Sequence, residues 1–90
     1  MSEFNQEAIF QLQKFAKSGK SIHTMLEFMI EYLELNENSR VILIAYFQKA
    51  FSLNMKEAMQ IGAWNYFPGG TWDISEVESA LRPVIEKSVE

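Results

Sequence analysis

The sequence predicts an all-α protein: a single helical domain over residues 1–90, folded as a bundle of five helices around a buried third helix. Three observations carry that reading. Apolar residues make up 48% of the chain and charged residues 22%, ordinary globular usage that argues against disorder, and ninety residues make one domain. Apolar positions recur at helical spacing, and no run alternates with period two for long enough to make a strand. Residues 41–51 hold only Gln48 and Lys49 as clearly polar side chains. At about 100° per residue, Val41, Ala45, Gln48 and Lys49 share one strip of that helix, while Ile42, Leu43, Ile44, Tyr46, Phe47, Ala50 and Phe51 cover the rest. A helix so nearly apolar all round has to be wrapped by other elements. It is far too short to span a bilayer, which takes about 20 apolar residues.

The first helix is expected over about residues 5–18, with Ala8, Ile9, Leu12, Phe15 and Ala16 at helical spacing. Asn5 or Ser2 can cap its free amides. Gly19 suits the position after its end, where Lys14, Lys17 and Lys20 complement the negative pole of the dipole. The second helix starts at the N-cap Ser21 and buries Ile22, Met25, Leu26, Met29 and Leu33. Glu27, Glu31 and Glu34 fall together on its opposite face, within an arc of about 60°. Residues 35–38 form a turn, and Asn38 or Ser39 caps the central helix, which ends near Ser52 and Leu53.

Asn54 and Glu57 have the spacing of a capping box, so a fourth helix is expected over about residues 55–66. Met55, Ala58, Met59, Gly62 and Tyr66 share one face of it, and Gly62 would let another backbone come close. Ile61 and Trp64 point elsewhere, so this helix is either covered on two sides or exposes an aromatic. Phe67-Pro68-Gly69-Gly70-Thr71 is the strongest breaker in the chain. A second capping box, Asp73 with Glu76, opens the fifth helix at about Ile74. Ile74, Val77, Leu81, Val84, Ile85 and Ser88 form its inner stripe, and the pairs Glu78 with Arg82 and Arg82 with Glu86 lie on its wet side. Pro83 removes an amide inside it and should kink or divide it.

Chemistry is hard to assemble from these residues. There is no cysteine, hence no disulfide framework and no thiolate nucleophile, which fits a reducing cytosol. The N-terminal stretch lacks a basic region followed by an apolar one, so no signal peptide is expected and the location reads as cytoplasmic. His23, the single histidine, flanks the apolar stripe and reads as a packed boundary residue. With it alone no usual zinc site forms, and no nucleophile-elbow sequence supports a Ser–His–Asp arrangement. We therefore expect no catalytic residues, no metal and no cofactor. Gly69-Gly70 lacks the phosphate-loop pattern and reads as an interhelical turn.

What remains is a surface. Glu27, Glu31 and Glu34 form either a solvated face or an acidic ridge that docks a basic patch. Trp64, Tyr66, Phe67 and Trp72 crowd one loop, beside Asp73, and read either as lids on the core or as anchors for a partner. A net charge of −4 disfavours nucleic acid and favours a basic protein. Residues 45–58 also read as a helix–turn–helix with its turn at residues 52–54, so a small DNA-binding regulator is the alternative. Its second helix would offer only Lys56, Gln60 and Asn65 to a groove.

The segment Tyr46-Phe47-x-x-Ala50-Phe51-x-Leu53-x-x-x-Glu57-Ala58-x-x-Ile61-x-x-Trp64, followed by a Gly-rich turn and a short acidic helix, resembles small bacterial immunity-type proteins of polymorphic or contact-dependent toxin systems. The resemblance covers roughly the C-terminal half and consists of core and cap positions. It implies an all-helical cytosolic protein that binds and blocks a cognate toxin, often a basic nuclease domain. No functional residue carries over from it. The partner-binding candidates from the residues themselves are Glu27, Glu31 and Glu34, then Trp64, Tyr66, Trp72 and Asp73.

Overall fold

Local capping fixes where most of the helices begin. In a computed structural model of the protein, which describes residues 4–89, Asn5 Oδ1 accepts the Ala8 amide and opens α1 (Gln6–Lys17). Ser2 lies outside the described residues. Ser21 Oγ accepts the Thr24 amide and opens α2 (Ile22–Tyr32). Both capping boxes form: Asn54 with Glu57 starts α4 (Met55–Met59), and Asp73 with Glu76 starts α5 (Ile74–Ser88). α3 (Arg40–Phe51) is the exception. Ser39 stands at its N-cap but makes no side-chain cap, because its Oγ accepts the Asn36 amide within the preceding turn.

The ends of α1, α2 and α3 are set by left-handed residues, the last at Ser52 (φ 53°). Gly19 (φ 75°) closes α1, with the Lys20 amide bonded to the Phe15 carbonyl and the Gly19 amide to that of Ala16. The same paired arrangement ends α2, but there the left-handed residue is Glu34 (φ 55°). The sequence placed Glu34 on the helix face with Glu27 and Glu31. It instead lies beyond the end of α2, because these closing bonds turn the chain after Tyr32. A side chain with a Cβ is strained in this region, so Glu34→Gly is expected to stabilise the fold by about 0.5–1 kcal/mol. A urea midpoint that fell instead would contradict this.

The bundle is all-α, with five α-helices and no strand among the described residues. α3 packs on α1, on α4 and on a 3-10 turn, Gln60–Ala63, that follows α4; α2 packs on α5 and α1. Leu43, Tyr46, Phe47, Ala50 and Phe51 of α3 meet Leu12, Met25, Leu26, Met29, Ile61, Phe67, Val77 and Leu81 in one core. The wrapping of α3 is incomplete along the side that carries Val41 and Ile42. Val41 is 76% exposed, in line with its place on the outer strip, and Ile42, expected inside, is 44% exposed.

Two elements depart from the pattern in the sequence. The fourth helix is α only to Met59, tightens to 3-10 through Ala63, and stops there instead of reaching Tyr66. The cause lies across the loop: the Ala63 carbonyl accepts the amides of both Thr71 and Trp72, and Asn65 donates to the Trp72 carbonyl. These bonds hold Trp64 and Trp72 as an isolated bridge and take the Ala63 carbonyl and the Asn65 amide out of any further helical turn. Met55 and Met59 face solvent, while Ala58, Ile61 and Trp64 turn inward. At Gly62 the close neighbours are side chains of Arg40 and Ile44, not backbone. α5, in turn, runs through Pro83 undivided. Pro83 and Ser79, whose carbonyl loses its helical partner, both lie on the exposed face, where that carbonyl is open to solvent and the missing bond costs less than it would in the core. Ser88, expected on the inner stripe, is exposed near the end of α5.

Candidate functional site

The acidic and aromatic candidates meet along one side of α2. Glu27 and Glu31 are successive turns of α2, both exposed. Across from them the chain leaves the 3-10 turn as Trp64-Asn65-Tyr66, held by the bridge to Trp72. Between the two runs an open cleft of about 720 Å3 lined by His23, Thr24, Glu27, Phe28, Ile30, Glu31, Trp64 and Tyr66.

The aromatic wall is built from rings in mutual contact. Trp64 and Tyr66 stack with ring centres 4.8 Å apart, and Phe67 meets both edge-on at 5.8 and 5.5 Å. Trp64 is only 7% exposed, so it backs the cleft as a core residue and does not project as an anchor. Tyr66 is half-buried and carries the outer part of that wall. His23 closes one end: its ring edge faces Trp64 at 6.3 Å and its Nε2 lies 3.3 Å from Glu27 Oε2. It is the boundary residue expected from its position, and it also orients Glu27. No lysine or arginine lines the cleft, so its lining carries two carboxylates and no fixed positive charge.

The other candidates lie elsewhere. Trp72 is half-buried and lines a different, shallower depression with Asp73, Glu76 and Ser79. Asp73 is engaged at the helix start, where its Oδ1 accepts the Glu76 amide at 2.9 Å. Glu34 is exposed at the turn after α2. Of the seven residues named from the sequence, four, Glu27, Glu31, Trp64 and Tyr66, come together.

One residue behind the cleft escaped the sequence reading. Glu78, placed there on the wet side of its helix, has a side chain only 26% exposed. Both its carboxylate oxygens accept the Ile22 amide, at 2.9 and 3.0 Å, and Oε1 also takes that of His23 at 3.3 Å. Arg82 Nη2 pairs with it at 2.8 Å. The acid of α5 therefore completes the N-terminus of α2, where negative charge is favoured. Only its (i, i+4) spacing to Arg82 was visible in the sequence.

Among the described residues, no group of three or more His, Cys, Asp or Glu side chains could hold a metal ion, and no helix is long and apolar enough to cross a membrane. The helix–turn–helix candidate is realised as α3, a tight turn at Ser52 to Asn54, and α4. With five residues α4 is under two turns long, and it presents Met55, Lys56 and Met59 to solvent. Compared with protein-family models, curated proteins and solved structures, the chain finds no match.

Proposed function

We propose that this protein is a non-enzymatic binding module in which the cleft between α2 and Tyr66 receives a basic segment of a protein partner, and that its concrete role is that of a cytoplasmic immunity protein occluding a basic toxin domain. The observation that carries the reading is the convergence of Glu27 and Glu31 with the Trp64–Tyr66 stack on one open cleft without a compensating cation. A lysine or arginine entering it would find carboxylates at the rim and an aromatic wall beside its stem, a setting that favours cations. The net charge of −4 adds a long-range attraction for such a partner. The resemblance of the C-terminal half to immunity-type proteins supplies the toxin as the partner.

The test is co-purification with the product of the adjacent gene at micromolar concentration. A complex that weakens with salt supports the reading, and the absence of any complex overturns it. Within such a complex, Glu27→Lys with Glu31→Lys is expected to lower affinity by about tenfold or more at low salt and to flatten its salt dependence. Both side chains are exposed, so the melting temperature should barely move. Unchanged affinity and salt slope would remove the cleft from the interface. Salt-sensitive binding of duplex DNA by the isolated protein would point instead to a regulator.

A further inference from the structure

We infer that the outer strip of α3 is the contact between two copies of this chain, packed antiparallel about a two-fold axis near the level of Leu43. The strip borders a shallow apolar groove of about 380 Å3 formed by Phe4, Leu33, Val41, Ile42, Ala45 and Tyr46. None of these residues lines the cleft beside α2, so the two surfaces are tested separately. Val41 and Ile42 are adjacent and both exposed on the most apolar segment of the chain. Other exposed apolar residues are differently placed: Phe10, for instance, has the Lys14 ammonium 5.3 Å from its ring centre. Single exposed apolar residues are ordinary, but a contiguous strip bordered by charge marks an interaction surface.

The charges identify the occupant. At one end of the strip the turn between α2 and α3 carries the exposed acids Glu34 and Glu37. At the other, exposed Lys49 lies 5.9 Å from the centre of the Phe4 ring at the groove edge. The face is thus acidic at one end, apolar in the middle and basic at the other, which complements itself only when a second copy is reversed. In that register Val41 meets Ala45 of the other copy, and Lys49 comes opposite its Glu37. The small Ala45 lets the two helices approach closely. Such isologous pairing is the commonest form of self-association. A face of about two helical turns is at the small end of stable interfaces, so the dimer should form in the micromolar range.

Sedimentation equilibrium between about 1 µM and 1 mM tests it. The expected result is a reversible monomer–dimer equilibrium. Val41→Asp should weaken it by about tenfold or more without changing the far-ultraviolet circular dichroism, since the side chain is exposed. Lys49→Glu should also weaken it, and Lys49→Glu combined with Glu37→Lys should restore it. A protein that stays monomeric throughout, a dimer indifferent to Val41→Asp, or a charge exchange that fails to restore association would each overturn the proposal. So would a Val41→Asp variant that loses a heterologous partner while its self-association persists.

Discussion

Gly70→Ala is expected to be among the most damaging single-methyl additions this chain can receive. A Cβ at position 70 would overlap the Trp64 carbonyl oxygen and lie 2.6 Å from the carbonyl carbon and 3.0 Å from the Ala63 carbonyl oxygen. All three are backbone atoms, held by the bonds that the Thr71 and Trp72 amides donate to the Ala63 carbonyl and the Asn65 amide to that of Trp72, so no rotamer change relieves the clash. The loop would have to open and release the aromatic wall. We expect a loss of about 3 kcal/mol or more, at or beyond the top of the usual overpacking range. Against a total stability of about 5–13 kcal/mol for ninety residues, that is a large fraction. Gly69→Ala is the internal control. Gly69 has φ 81° but open space around it, so only the left-handed strain of about 1–2 kcal/mol applies. Urea denaturation of both variants decides the matter, and equal midpoints would refute the steric account.

Glu78→Ala is expected to cost about 2 kcal/mol, lowering the melting temperature by about 8–16 °C. The carboxylate serves the amides of Ile22 and His23 while Ser21 Oγ serves that of Thr24, so the first turn of α2 has a partner for each. Removing it strands those amides near a fully buried Ile22 side chain and leaves the Arg82 guanidinium without its closest anion. Glu78→Gln should fall between the two, since an amide oxygen still accepts but without charge. Hydrogen exchange at Ile22 and His23 should accelerate more than exchange in α3. A change below about 0.5 kcal/mol, the level of an exposed helix pair, would show that Glu78 acts only on Arg82.

Features whose cause is local were readable from the sequence. The boxes of Asn54 with Glu57 and of Asp73 with Glu76, the caps at Asn5 and Ser21 and the stop at Gly19 all act within about one helical turn, and all form. The all-α architecture followed from the spacing of apolar positions. Features set by distant contacts were not readable. Glu78 was unremarkable until its partner, 56 residues earlier, was placed beside it. Whether Trp64 is a lid on the core or an anchor at the surface stayed open in the sequence, because the bonds that turn it inward come from Thr71 and Trp72. Pro83 was expected to kink or divide α5 because its missing amide was weighed without its place opposite the inner stripe, where the Ser79 carbonyl is open to solvent. Ile42 was assigned to the core on the premise that α3 is covered all round, and the side that carries Val41 and Ile42 is not. The candidate site divides in the same way. Glu27, Glu31 and Tyr66 were named from residue type and helix face, but their sharing one cleft is a tertiary fact.

The Glu78 carboxylate also bears on the order in which this molecule takes shape. It anchors the start of α2, whose side forms one wall of the cleft, yet it belongs to α5, which follows every residue of that cleft in the chain. During translation, a nascent chain that has emerged only as far as the Gly69-Gly70 turn already contains every side chain that lines the cleft, but not the acid that seats α2. The cleft should therefore take its full shape late, once α5 has left the ribosome and docked.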